Sequence, residues 1–127
     1  MKQVVHTAGA PEAIGPYSQA IQVKASDLLF CSGQIPLDPA SGEMIAGSTA
    51  EQTRKVMDNL KAILEASGFS MDDVVKTTIY LTDLASFAHV NRVYEAYSSG
   101  NFPARSTIQV AALPRGAAVE IDMVACR

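Results

Sequence analysis

The stretch from 49 to 83, TAEQTRKVMDNLKAILEASGFSMDDVVKTTIYLTD, changes its hydrophobic period once and so predicts a helix followed by a strand. Over 49–67 the apolar residues recur at helical spacing, with charged residues between them. These apolar positions are Val56, Leu60, Ile63 and Leu64. Over 73–83 apolar and polar residues alternate instead, which is typical of a strand with one buried face.

Both ends of this helix are marked in the sequence. Capping-box spacing at its start is offered by Ser48 with Glu51, or by Thr49 with Gln52. Gly68 stands where a left-handed residue commonly ends a helix. The alternation that follows places on one face of the next strand Val75, Thr77, Ile79 and Leu81.

Working outward, the C-terminal part predicts a second helix and two further strands. Thr82 or Asp83 is available as the N-cap of the second helix. The apolar stripe of this helix consists of Phe87, Val90, Tyr94 and Tyr97. Strands are expected near 105–110 and 118–125. In the last strand one face carries Val119, Ile121, Met123 and Ala125, and the other carries Glu120, Asp122 and Val124.

Toward the N-terminus, short strands are predicted at 3–7, 17–24 and 28–33. A polar turn at 25–27 separates the second from the third, and we expect these two to form a hairpin. The order β-β-β-α-β-α-β-β then predicts an α+β fold, a single sheet of about six strands with two helices on one face. The other face combines its few charges with Thr107, Thr78, Tyr80 and Val124, so we expect another subunit to cover it.

Composition narrows the function classes. A chain of 127 residues fits one domain, 1–127. The net charge is −3 and the ten Lys and Arg are scattered, which argues against a nucleic-acid partner. We expect a cytoplasmic protein without membrane contact, because the sequence offers neither a signal peptide nor an apolar stretch of spanning length. With only two cysteines, Cys31 and Cys126, we expect reduced thiols. Together with two isolated histidines they are too few for a metal site, so none is predicted.

Four segments carry a resemblance to a known family. Residues 102–122, FPARSTIQVAALPRGAAVEID, hold a Pro-Ala-Arg-Ser start and, about fifteen residues later, a glutamate between apolar residues. The other three are IGPYSQA at 14–20, CSGQIPLDP at 31–39 and VVKTTIYLTDLASFAHVNRVYEAY at 74–97. In this order and spacing they resemble the RidA (YjgF) family of reactive-intermediate deaminases over nearly the whole chain.

The resemblance implies a chorismate-mutase-like α+β fold, assembled as a homotrimer with three active sites in the clefts between subunits. It also implies a cofactor-free hydrolysis of 2-imino acids, such as 2-iminobutanoate and 2-iminopropanoate or their enamine tautomers. The products are 2-keto acids and ammonia. Such imines are released by pyridoxal-phosphate-dependent dehydratases that act on threonine or serine.

Two residues in the quoted segments are the expected catalytic pair. The guanidinium of Arg105 presents a planar fork that matches a substrate carboxylate. Glu120 lies mid-strand between two apolar residues and is expected to orient the attacking water and move its proton. A purely structural ion pair between Arg105 and Glu120 at a subunit interface is the competing interpretation.

The resemblance adds four further candidates around the substrate. Tyr17 is expected to contact the substrate carboxylate or the water, and Ser32 and Gly33 offer backbone groups to the imine nitrogen. Thr107 stands where many relatives carry cysteine, two residues after Arg105, which argues against a covalent mechanism. Cys31 is expected to be a small buried residue, and Arg115 a solvated charge in a loop.

Two other functions stay open. A non-catalytic protein that binds small carboxylates such as keto acids would need Arg105 and would not depend on Glu120. An RNA-directed translation inhibitor is the third choice, because the acidic balance and the absence of a basic cluster weigh against it.

Overall fold

The computed structural model describes residues 2–127, and its element order is the predicted β-β-β-α-β-α-β-β. The strands are β1 (Lys2–Val5), β2 (Ala20–Val23), β3 (Leu28–Gln34), β4 (Val74–Leu81), β5 (Ala104–Gln109) and β6 (Val119–Cys126). The helices are α1 (Thr49–Ala66) and α2 (Phe87–Glu95). Single 3-10 turns lie at Met71–Asp73, Leu84–Ser86 and Pro114–Gly116.

The strands form a mixed sheet in the order β3-β6-β4-β5, in which only β4 and β5 run parallel. β1 and β2 pair with each other as an antiparallel ribbon. The ribbon joins the β5 edge through a bridge between Ser18 and Ala104, and Ser18 N–H donates to the Pro103 carbonyl at 3.1 Å. The predicted α+β fold, with two helices on one face of a sheet of about six strands, is confirmed, and the structure shows that the sheet is mixed.

The predicted hairpin between the second and third strands is wrong. β2 pairs with β1, whereas β3 pairs with β6. The turn between them is tied elsewhere, because the backbone N–H groups of Ser26 and Asp27 donate to the Arg127 carbonyl at 3.0 and 3.1 Å. These bonds align the start of β3 with the end of β6.

The helix signals of the sequence correspond to the observed ends of α1. Ser48 is the N-cap, and its capping box with Glu51 is complete in both directions. Gly68 has a φ of +79°, the left-handed conformation that glycine adopts without steric cost. The choice left open between two capping pairs is therefore settled for Ser48 and Glu51.

Both helices pack on one face of the sheet and bury the core there. The core includes Val56, Met57, Leu60 and Leu64 of α1, Val90 and Tyr94 of α2, Ile79 and Leu81 of β4, and Val119, Ile121, Met123 and Ala125 of β6. The predicted inward face of β6 is confirmed. In β4 the register shifts between Val74 and Lys76, so that Val74 rather than Val75 is buried in the core.

The opposite side, called the open face below, carries no helix. It is formed by Phe30, Tyr80, Ile108, Glu120 and Asp122. Phe30 is 71% exposed and Ile108 is 44% exposed, so large apolar side chains remain in contact with water. The Tyr80 hydroxyl donates to Asp122 Oδ2 at 3.0 Å and fixes one of the two carboxylates. Within residues 2–127 there is no helix of the length and hydrophobicity needed to span a membrane.

Candidate active site

Strand register places Arg105 and Thr107 on the helical side of the sheet. Arg105 pairs with Thr77 and Thr107 pairs with Ile79, and both partners are fully buried beneath the helices. The expectation that Thr107 lies on the open face is therefore wrong. β5 is the outer strand of the four-stranded sheet, where the helical layer covers less of it. Its helix-facing residues Arg105 and Thr107 are therefore only half-buried, and such positions can hold polar side chains.

Arg105 sits among three aromatic rings. Its guanidinium carbon lies 5.5 Å from the centroid of Tyr17, 5.6 Å from Phe87 and 5.3 Å from Tyr94. These are cation–π distances, at which the negative ring faces attract the cation. Nη1 also donates to Asn91 Oδ1 at 2.7 Å. The side chain is thus held in one orientation from several directions.

The same guanidinium lacks a counter-ion among residues 2–127, because no carboxylate there lies within ion-pair distance of Arg105. Burial lowers its pKa, and Tyr94 and Tyr17 act in the opposite direction; an arginine nevertheless stays charged at neutral pH. A half-buried cation with aromatic and amide neighbours gains most from an anion that brings its own acceptors. A carboxylate has the matching two-oxygen geometry.

Three residues of this site were not singled out from the sequence. Phe87, Asn91 and Tyr94 are spaced i, i+4 and i+7 on α2, which puts them on one face of the helix. Phe87 and Tyr94 were assigned only to an apolar stripe. The sequence did contain one signal for this part of the site: Asn91 is a polar residue in line with the apolar stripe of α2. The Tyr94 hydroxyl donates to Thr77 Oγ1 at 3.0 Å, and burial raises the pKa of Tyr94.

The sequence predicted Tyr17 within a strand over 17–24, but β2 begins at Ala20, and Tyr17 reaches Arg105 from the turn before it. Its N–H donates to the Gly15 carbonyl at 2.8 Å, and its hydroxyl oxygen accepts from the Ile14 N–H at 3.4 Å. Gly15 has a φ of +113°, so this tight turn depends on glycine. The turn therefore aims the Tyr17 ring at the guanidinium.

Thr107 lies two residues beyond Arg105 on the same side of β5. Its Oγ1 is buried and has no hydrogen-bond partner among residues 2–127. A buried hydroxyl without a partner loses free energy, so such a group is expected where a water or ligand completes the site. Thr107 is thus available to a molecule bound beside Arg105.

A second group forms around Glu120 on the open face. Glu120 pairs with Tyr80 across the strands and points away from the helices. Its side chain lies directly over Gly33: a Cβ added at Gly33 would be 2.9 Å from Glu120 Cδ and 3.2 Å from Cγ. The β3–β6 register is irregular between Cys31 and Gln34, which places the bulge at Ser32 and Gly33. Bulges interrupt ladder pairing and often occur beside functional sites.

The predicted residues therefore form two separate groups in one chain. The arginine group contains Arg105, Tyr17 and Thr107, and the glutamate group contains Glu120, Ser32 and Gly33. β4 lies between β5 and β6, so their axes are roughly 10 Å apart, and the two side chains project from opposite faces. One small substrate cannot contact Arg105 and Glu120 of the same chain.

Two other predicted residues are also located. Arg115 is not simply solvated, since Nη1 donates to the Gly42 carbonyl at 2.9 Å and Nη2 lies 3.8 Å from Glu43 Oε2. Cys31 is buried as expected, and burial, followed by the charge of Asp122, raises its pKa. Both cysteines are free thiols. In residues 2–127 no three His, Cys, Asp or Glu side chains are grouped as metal ligands would be.

The sequence matches the family model described as Endoribonuclease L-PSP over residues 7–127. The chain belongs to the RidA (YjgF) family. Among RidA-family relatives, protein DfrA of Myxococcus xanthus is 56% identical over 124 residues, covering 98% of this chain and 95% of DfrA. The mouse 2-iminobutanoate/2-iminopropanoate deaminase is 46% identical over 125 residues, covering 98% of this chain and 91% of the mouse protein.

Solved structures of the RidA family share this fold. The crystal structure of Escherichia coli TdcF with bound serine superposes with a TM-score of 0.75 at 40% identity, and 98% of each chain is covered. The predicted family and fold are both confirmed by these matches.

Proposed function

We propose that the protein hydrolyses reactive 2-imino acids, such as 2-iminobutanoate and 2-iminopropanoate, to 2-keto acids and ammonia. The observation that carries the proposal is the guanidinium of Arg105, which is held by three rings and Asn91 and has no carboxylate partner in the described part of the chain. The permanent charge of a 2-imino acid is the carboxylate that this guanidinium lacks. The name of the mouse relative and the serine bound to TdcF are consistent with a substrate of the amino-acid type.

We propose further that each active site is shared between two copies of the chain. The arginine group and the glutamate group lie on opposite faces of one sheet, so a substrate can reach both only if a second chain supplies one of them. The open face that carries Glu120 also exposes Phe30 and Ile108, which a neighbouring copy would cover. A closed homotrimer, the assembly implied by the family resemblance, would contain three equivalent sites.

In this arrangement each residue has a defined role. Arg105 binds the substrate carboxylate through two parallel N–H donors, with the Tyr17 ring and the Thr107 hydroxyl beside it. Glu120 of the adjacent copy accepts a proton from water as the water oxygen bonds to C2 of the protonated imine. Glu120 then returns that proton to the nitrogen and accepts the remaining proton of the new C2 hydroxyl, so that C2=O forms as the C2–N bond breaks. Ammonia leaves with the 2-keto acid and takes up the second proton as ammonium. The iminium carbon is already electrophilic, so the step proceeds without a covalent nucleophile or a cofactor.

The proposal is tested by measuring ammonia release from 2-iminobutanoate generated in the assay, against its spontaneous decay in the same buffer. Arg105→Ala is expected to lower kcat/KM about 100-fold, mainly through KM, because charge-assisted carboxylate bonds are lost. Glu120→Gln is expected to lower kcat by about 100-fold or more with little change in KM. Arg92→Ala, which removes an exposed arginine of α2, is the matched control and should behave like the wild type.

The competing functions predict different results for this decay assay and for binding measurements on the same variants. A carboxylate-binding protein would bind 2-ketobutanoate in an Arg105-dependent manner and add nothing to the spontaneous decay. An RNA-directed protein would bind RNA at physiological salt and be indifferent to Arg105→Ala. Wild-type protein that leaves the decay rate unchanged would refute the deaminase proposal.

A further inference from the structure

Arg115 is the only non-glycine residue among residues 2–127 with a positive φ; its φ is +57° and its ψ is +23°. It lies in the turn Pro114–Gly116, which two residues, Ala117 and Ala118, separate from β6. The left-handed region is unfavourable for a residue with a Cβ, whereas Gly116, which follows with a φ of +72°, adopts it without steric cost. Such conformations persist where the surroundings enforce them, and they are frequent near functional sites.

The side chain of Arg115 reaches a second segment of the chain. Nη1 donates to the Gly42 carbonyl at 2.9 Å, and Nη2 approaches Glu43 Oε2 at 3.8 Å. The two charged side chains are 50% and 78% exposed, so their ion pair alone contributes little to stability. The contact matters for its position. It joins the turn before β6 directly to the loop 35–47 that follows β3.

These two segments leave the β3–β6 pair at the end where Glu120 lies over Gly33. Beyond the bulge, β3 pairs with β6 through one residue pair, Gln34 and Ile121. Both sides of this contact are also tied to α1: Asn59 Nδ2 donates to the Leu37 carbonyl at 2.9 Å, and the N–H of Ala118, between the turn and β6, donates to Gln52 Oε1 at 3.0 Å. Arg115 is the link that joins the two segments to each other.

We propose that Arg115 is a positioning residue for Glu120. By fastening loop 35–47 to the turn Pro114–Gly116, it keeps the bulge at Ser32 and Gly33 seated beneath the Glu120 carboxylate. The inference rests on the proposed deaminase function, because a positioned carboxylate matters only if Glu120 acts on the water. A change at Arg115 then moves Glu120 without touching the arginine group that binds the substrate.

The test is Arg115→Asn, since asparagine tolerates the left-handed conformation and cannot reach Gly42. We expect kcat to fall about 5- to 20-fold and KM to stay within about twofold, because a shift of about 1 Å in a reacting group costs up to about 100-fold. Arg115→Lys, which keeps a cationic donor, should recover most of kcat. Arg92→Asn on the outer face of α2 is the matched control.

A second measurement does not depend on activity. Hydrogen exchange followed by mass spectrometry should show faster exchange in residues 30–45 of Arg115→Asn, with the assembly state and the melting temperature retained. Unchanged exchange there, unchanged kcat, or an equal loss of kcat and of assembly would each overturn the positioning role. If wild-type protein fails to deaminate, the proposed function falls, whereas normal wild-type activity with an unaffected Arg115→Asn refutes the positioning role alone.

Discussion

Replacing Gly33 by alanine is expected to displace Glu120 without unfolding the protein. The added methyl would collide with Glu120 Oε2 and would lie 2.9 Å from Glu120 Cδ. Carbon atoms pack at about 3.5–4.0 Å, so Cδ must retreat by about 0.6–1.1 Å, and the carboxylate oxygen, which is closer to the methyl, must move further. The Gly33 φ is not positive, so alanine fits the backbone, and the obstructing atoms belong to the movable end of a half-buried side chain. The free energy of unfolding should change by less than about 1 kcal/mol.

The same displacement should be large for catalysis. A shift of about 1 Å in a positioned group costs up to about 100-fold, so Gly33→Ala should lower kcat about 10- to 100-fold with KM nearly constant. The assay is keto-acid formation from 2-iminobutanoate, with urea unfolding of each variant in parallel. Gly9→Ala is the matched control, because its added methyl meets nothing closer than Thr7 Oγ1 at 3.4 Å.

The reasoning also predicts how the two substitutions combine. In a Glu120→Gln background, Gly33→Ala should cause little further loss, since both changes remove the same function. A kcat within twofold of wild type for Gly33→Ala, or an equal loss in both backgrounds, would show that the contact with Glu120 has no catalytic role.

Three further predictions concern other parts of the chain. Lys2 donates to the carbonyls of Asp72, Val74 and Asn101 at 3.2, 2.8 and 3.0 Å, so Lys2→Met should lower the free energy of unfolding by about 1–2 kcal/mol in urea titrations, and Lys61→Met should not. Tyr94→Phe leaves the buried Thr77 hydroxyl without its partner and should cost about 1–2 kcal/mol by the same measurement. Because burial raises the pKa of Cys31, less thiolate is present at a given pH than in a free thiol. In a Cys126→Ser background a thiol reagent should therefore react more slowly with the native protein than with the unfolded protein. The rate of the native reaction should rise about tenfold per pH unit from pH 7 to 9. Native reaction as fast as unfolded would contradict the burial.

The sequence was sufficient for those parts of the fold that depend on local signals. Helix α1 carried a regular apolar period with a cap at each end, and β6 alternated over its full length, so both were predicted with the correct inward faces. The hairpin error arose because strand pairing is not local. The partner of β3 is β6, about ninety residues later, and the turn at Ser26 and Asp27 is tied to Arg127.

The residues of the candidate site were predicted from the sequence. Their separation into an arginine group and a glutamate group on opposite faces of the sheet was not. Arg105 and Thr107 follow a period of two, which gives their common face and does not say which face it is. The outer position of β5 decides that, and it depends on the parallel pairing with β4. Asn91 escaped notice for a related reason: its role depends on the packing of α2 over β5, and only its polarity within an apolar stripe signalled it.

The most direct test of a site shared between two copies is complementation between inactive variants. Arg105→Ala and Glu120→Gln chains, each inactive alone, are mixed in equal amounts, unfolded and refolded together, and assayed for deamination. In a random trimer whose sites take Arg105 from one chain and Glu120 from the next, about a quarter of the sites regain both residues, so about a quarter of wild-type activity should return. No recovery beyond the two parent variants, in mixed trimers confirmed by mass spectrometry, would contradict the shared site.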